Sequence, residues 1–160
     1  MSTTEQTLEV QTIELHREVA IAAPVDVTFE AVLAELGPES QMPDGKPFPF
    51  KLEAWPGGRW YRDLGNDAGH LWGHVQVIKP PTLIEICGPM MASFPVTNHV
   101  RYKLVADGNE RTRITFAHRA FGLMPKGFME GVDQGWDYGV KRIGEIAARL
   151  LARRGKEAGR

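Results

Sequence analysis

The stretch HLWGH, residues 70–74, places two imidazoles four positions apart. On a helix that spacing presents a pair of metal ligands on one face. The surrounding residues alternate as a strand does, and a strand rises about 3.3 Å per residue, so His70 and His74 stand roughly 13 Å apart, too far for one ion. No metal site is expected. His118 lies in RTRITFAHRAF, residues 111–121, on the same strand face as Ile114 and Phe116. An imidazole there would orient a polar ligand group or move a proton near neutral pH; the alternative is a core histidine bonded to backbone or water. Glu53 and Glu85 are strand carboxylates whose faces alternation does not fix. An inward Glu85 is a general-base candidate, and an outward one is a solvated charge. Ser2, Ser40 and Ser93 fall in a tail or in loops, and none sits in a G-x-S-x-G turn. Cys87 closes an apolar strand with no cationic neighbour in sequence, which fits a small hydrophobe better than a nucleophile. WPGGRW and LGNDAG lack the Lys-Ser/Thr pair of a phosphate loop. No catalytic residue is assigned, and no cofactor is expected.

The frame that must position these groups is modest in size. A chain of 160 residues, 42% hydrophobic and 24% charged, fits one domain with a sizeable core. Its net charge of −1 offers no electrostatic case for nucleic acid or an anionic membrane. A single cysteine excludes an intrachain disulfide and suits the cytoplasm. The first residues, MSTTEQTLEVQT, lack the apolar core of a signal segment, and no run approaches the ~20 apolar residues of a membrane span.

Residues 1–12 read as a flexible tail, 13–152 as a single domain, and 153–160 (RRGKEAGR) as a flexible basic tail. Within the domain, LHREVAIAA (15–23) alternates as a strand. PVDVTFEAVLAEL (24–36) has helical spacing at Val25, Phe29, Val32, Leu33 and Leu36, opened by Pro24 and stopped by Gly37-Pro38. The Pro- and Gly-rich residues 39–49 are loop. Strands follow at 50–55, 59–64, 71–79, 82–88, 96–107 and 111–121, joined by short turns. In the last two, Val100, Tyr102 and Leu104 share one face, as do Ile114, Phe116 and His118. Short connections imply an antiparallel sheet, and a sheet with one apolar face needs a cover. The cover is the helix over 127–154, so the fold class is α+β.

That helix has an apolar face at Val132, Trp136, Val140, Ile143, Ala147 and Leu150. Along its margin run Gly131, Gly135 and Gly139, each costing about 1 kcal/mol against alanine in a helix interior. They serve either close packing on the sheet or an open volume beside Trp136.

The strand, helix, strands, long-helix order resembles the START-like or Bet v 1-like helix-grip superfamily. More narrowly, it resembles the bacterial SRPBCC group related to the C-terminal domain of the activator of Hsp90 ATPase. The resemblance is carried by REVAIAAPVDVTFEAV (17–32), WPGGRWYRD (55–63), GHVQVIKPPTLIE (73–85), TRITFAHRAFG (112–122) and Gly135-Trp136, and spans about residues 14 to 151. It implies a curved antiparallel sheet of about six or seven strands gripping the C-terminal helix, with a hydrophobic cavity between them. Residues 37–49 depart from it: many relatives carry a second short helix there.

Under this architecture Trp60, Arg62, Tyr102, Phe116, His118, Gly135 and Trp136 are the candidate cavity residues. The loops GPMMASFPV (88–96) and FGLMPKGFM (121–129) are apolar and methionine-rich, which makes Met90, Met91, Phe94 and Met124 candidates for an adaptable rim. The leading expectation is binding of a small apolar or amphipathic molecule. A cyclase- or hydrolase-type enzyme would need His118 or Glu85 in the cavity. A chaperone-activator-like interaction module would need an exposed apolar patch, for instance around Trp72. A symmetric homodimer is compatible with all three.

Overall fold

A computed structural model describes residues 7–159. The elements run β1 (Leu8–Ile21), α1 (Val25–Leu36), β2 (Lys51–Leu52), β3 (Arg59–Gly65), β4 (Ala68–Lys79), β5 (Leu83–Gly88), β6 (Val96–Ala106), β7 (Thr112–Pro125) and α2 (Phe128–Ala158). One seven-stranded sheet has the order β1-β7-β6-β5-β4-β3-β2, and each neighbouring pair is antiparallel. Strands β2 to β7 therefore meander, while α1 carries the chain from the β1 edge to the opposite edge at β2.

Alternation decides the inner face. Val100, Tyr102 and Leu104 of β6 and Ile114, Phe116 and His118 of β7 are buried, with exposed or half-buried residues between most of them. They meet Val132, Trp136, Ile143, Ile146 and Ala147 of α2 in one core. Each large apolar side chain buried there stabilises by about 1.5–3 kcal/mol. The first half of α2 is tied to β1 by Arg17, whose Nε donates to Asp137 Oδ1 at 2.8 Å and whose Nη2 reaches Asp133. The pair is partly exposed and fixes orientation more than stability.

β4 starts three residues before the expected 71, at Ala68, and four other boundaries differ in ways that bear on the site. β1 starts at Leu8, because the polar run before residue 13 pairs along β7 as far as Leu8 opposite Pro125. An edge strand can carry polar side chains on its outer face, so composition alone read these residues as tail. β7 correspondingly continues to Pro125, through residues expected to be loop. Gly122 permits this at φ 148: a Cβ there would stand 2.4 Å from the Pro95 carbonyl oxygen. The strand expected over 50–55 contracts to Lys51–Leu52, since Glu53 turns to accept hydrogen bonds from the backbone and guanidinium of Arg59. α2 runs on to Ala158, through most of the expected basic tail. Residues 1–6 and 160 of the two expected tails lie outside the described residues. Among the described residues no helix is long and apolar enough to cross a membrane.

Candidate ligand cavity

A cavity of about 410 Å³ opens between the end of α1, the loop over residues 37–50, strands β3 and β4, and the first three turns of α2. The loop is braced on itself. Met42 N donates to Lys46 O, Phe48 N to Ser40 O, and Phe50 N to Gly37 O, each at 2.9 Å. This bracing holds Phe48 and Phe50 against Trp60 and Trp72: Phe50 stacks on Trp60 with ring centroids 5.0 Å apart and meets Trp72 edge-on at 4.6 Å. Trp60 is anchored from behind, its Nε1 donating to Leu36 O at 2.6 Å and so satisfying a carbonyl that α1 leaves free at its C-terminus.

The facing wall is α2. A Cβ added to Gly131 or Gly135 would meet nothing within 4 Å, so these two glycines leave open space. Gly139 does the opposite: its missing Cβ would lie 3.1 Å from Glu35 Oε1, so it permits close packing of α1 on α2. The stripe thus serves both purposes, volume at its start and contact at its end. Trp136 and Val132 complete this wall, and Met90, buried, and Met91 add to the lining.

Of the residues expected at the cavity, Trp60, Gly135, Trp136, Met90 and Met91 line it. Tyr102 and Phe116 stand one layer back, packed on each other at 5.0 Å, with Phe116 against Trp136 at 4.6 Å. Arg62 lies outside the aromatic wall, its guanidinium 3.5 Å above the Phe48 ring and its Nε donating to Pro49 O. Phe94 packs edge-on against Phe128 at 5.1 Å. Met124 is buried in a separate small cluster with Ile13 and Ala120. Glu85 sits on the strand face opposite Ile84 and Ile86 and pairs with His99 at 3.2 Å.

His118 is wholly buried behind Trp136, and both ring nitrogens are engaged. The Trp136 indole Nε1 can only donate, and it does so to His118 Nδ1 at 2.9 Å. Nδ1 is therefore unprotonated, and Nε2 donates to Asn98 Oδ1 at 2.8 Å. Asn98 Nδ2 passes the chain on to the carbonyls of Gly88 and Pro89, at 3.1 and 3.2 Å. Burial pushes the His118 pKa down to about 4, with His99 adding to the effect. The network is a strut from α2 through the sheet to the turn that carries Met90.

Sequence reasoning passed over Glu35. It belongs to the last turn of α1, only 9% exposed, on the stripe with Thr28 and Ala31 that faces α2. Two small residues one and two turns earlier were the available signal that this stripe is a close contact. Its Oε2 has no hydrogen-bond partner among the described residues. Burial raises its pKa to about 8, against the attraction of Arg142. Burial also holds the neighbouring Tyr102 hydroxyl above its ordinary value, and Glu35 adds to that shift.

These two groups set opposite pH dependences. His118 binds a proton less readily folded than unfolded, so its contribution is present above the ordinary 6.5 and is lost as pH falls towards 4. Glu35 binds a proton more readily folded, so its contribution is full below the ordinary 4.5 and is lost as pH rises through 8. Between 4.5 and 6.5 the two slopes oppose each other. Stability should therefore be highest in that interval and decline towards pH 8, and Glu35→Gln should flatten the alkaline decline. Urea unfolding of both chains across pH checks this; equal alkaline slopes would count against an uncharged Glu35.

No protein-family model matches the chain, and no curated protein matches it. Solved structures do. The aromatase/cyclase Zhui from a Streptomyces species is 15% identical with a TM-score of 0.62, over 88% of this chain and 96% of that one. CalU16 from Micromonospora echinospora is 20% identical with a TM-score of 0.56, over 99% and 94%. A point mutant of norcoclaurine synthase from Thalictrum flavum, in complex with a transition-state analogue, is 16% identical with a TM-score of 0.54, over 88% and 97%. The shared feature is the helix-grip arrangement of curved antiparallel sheet and long C-terminal helix, and it extends over nearly the whole chain.

Proposed function

We propose that this protein binds a small, mostly apolar molecule in the cavity between the sheet and α2, and that it does so in the cytoplasm. The observation that carries the proposal is a volume of about 410 Å³ walled by Trp60, Trp72, Phe48 and Trp136 and left open by two helical glycines. Glycine inside a helix is destabilising by roughly 0.5–1 kcal/mol, and a space that a methyl group would fill without clash has no packing reason to be empty. Membership of the SRPBCC group related to the chaperone activator is part of the same proposal and rests on the sequence motifs alone. The interaction-module reading gains nothing from Trp72, whose ring turns inward onto Phe48, Phe50 and Trp60. The enzyme reading through His118 or Glu85 lacks a free group at the cavity. One has both nitrogens bonded and the other faces His99.

The test is Gly135→Phe. Its side chain should enter the cavity, so calorimetric titration with tetralin, a bicyclic hydrocarbon, should show saturable binding to the native chain and none to the variant. Thermal stability should hold or rise, because a helix-favouring residue replaces glycine. Undiminished binding by a folded Gly135→Phe chain would place the ligand elsewhere and sink the proposal.

A further inference from the structure

Glu35 is a carboxylic acid in the wall of a mostly apolar space, and its buried Oε2 has no partner among the described residues. An orphaned buried polar group costs about 1–3 kcal/mol, and a leucine in its place would avoid that cost. The attraction of Arg142 does not offset the burial. Arg142, one turn beyond Gly139 on α2, is bonded to the Glu39 carbonyl at 3.3 Å and to Glu145 at 3.2 Å. The fold also makes room for the acid, since Gly139 omits the Cβ that would crowd Oε1. The ionisable groups around it are Arg142 and Tyr138 on α2 and Tyr102 on β6. The Tyr138 hydroxyl is occupied in donating to Gln41 Oε1 at 2.9 Å.

Resting on the cavity reading above, we infer that Glu35 determines which apolar ligands are accepted, by donating a hydrogen bond from its carboxyl to a carbonyl oxygen of the ligand. Three observations select this chemistry. Glu35 is part of the cavity lining, and its carboxyl group carries an oxygen without a partner among the described residues, so a ligand that reaches this wall can supply one. The group is protonated at neutral pH, burial having raised its pKa to about 8, so it has a proton to donate. The nearby Arg142 guanidinium makes the same corner unfavourable for an ammonium and favourable for an electron-rich oxygen. The aromatic walls at Trp60 and Trp72 supply the apolar contact, and Glu35 fixes which end of the ligand points inward.

The experiment compares tetralin with tetralone, the same bicycle carrying one carbonyl, and with aminotetralin, which carries an ammonium. Affinities for the native chain, Glu35→Leu and Glu35→Gln are measured by calorimetry. The preference for tetralone over tetralin should fall roughly tenfold in Glu35→Leu, the effect of one buried hydrogen bond. In the native chain it should also fall between about pH 6 and pH 9 as the acid ionises, and in Glu35→Gln it should not vary with pH. Glu35→Leu removes an unpaired buried polar group and Glu35→Gln keeps its shape without its ionisation, and circular dichroism checks that both fold. If tetralin and tetralone bind with a preference that Glu35→Leu leaves unchanged, the role of Glu35 is overturned and the cavity stands. If aminotetralin is the ligand that Glu35→Leu weakens, the carbonyl assignment is overturned. If no bicycle binds the native chain, both this inference and the cavity reading fall.

Discussion

Trp136→Ala should cost about 3–5 kcal/mol of stability, the largest loss expected from any single change near the cavity. The indole is 9% exposed, packs on Phe116 at 4.6 Å, and stands between the cavity and the β7 layer. Alanine would remove the transfer energy of the ring and join the cavity to a new void. It would also strip His118 Nδ1 of its only donor. Trp136→Phe separates these contributions, since it keeps most of the ring and loses only the N–H; a cost of about 1–2 kcal/mol is expected. Urea denaturation at pH 6 measures both. Equal losses for the two variants would show that packing of the indole contributes little and that the structure around it gives way.

His118→Leu should cost roughly 3 kcal/mol, because it orphans two buried partners at once. The Trp136 N–H loses its acceptor and Asn98 Oδ1 loses its donor, while the Asn98 amide keeps its two carbonyls. The leucine is apolar and of similar bulk, so the loss comes from polar atoms and not from a void. The pair should also be coupled. In the double variant with Trp136→Phe, the second change has less left to break, and the summed cost should fall short of additivity by about 1 kcal/mol or more. Strict additivity would mean that the bond between the two rings contributes nothing.

The sheet was legible because its signal is local. Period-two alternation at Val100, Tyr102 and Leu104, and at Ile114, Phe116 and His118, needs no knowledge of the rest of the fold. The same rule turned His118 inward, but its partners Asn98 and Trp136 come from a different strand and from α2, and no spacing rule connects them. Glu35 was illegible for a sharper reason. Helical periodicity counts a glutamate as solvent-facing, and only the close approach of α2 at Gly139 buries it. Phe48 was hidden in a Pro-rich segment that reads as loop, and Phe50 opened the strand expected over 50–55; both belong to a loop braced by its own backbone hydrogen bonds. Strand ends failed where pairing with an edge supplied the order that side chains did not, as at residues 8–12 along β7.

The distribution of indoles has an optical consequence. Of the four tryptophans, Trp60, Trp72 and Trp136 line the cavity, whereas Trp55 is 57% exposed. Three of the four emitting indoles therefore border the cavity, two of them only 5.3 Å apart and able to exchange excitation. Replacing Trp55 by phenylalanine would remove the solvent-exposed emitter. What remained would respond to any occupant of the cavity without a label, so an extract could be screened by shining light on the chain itself.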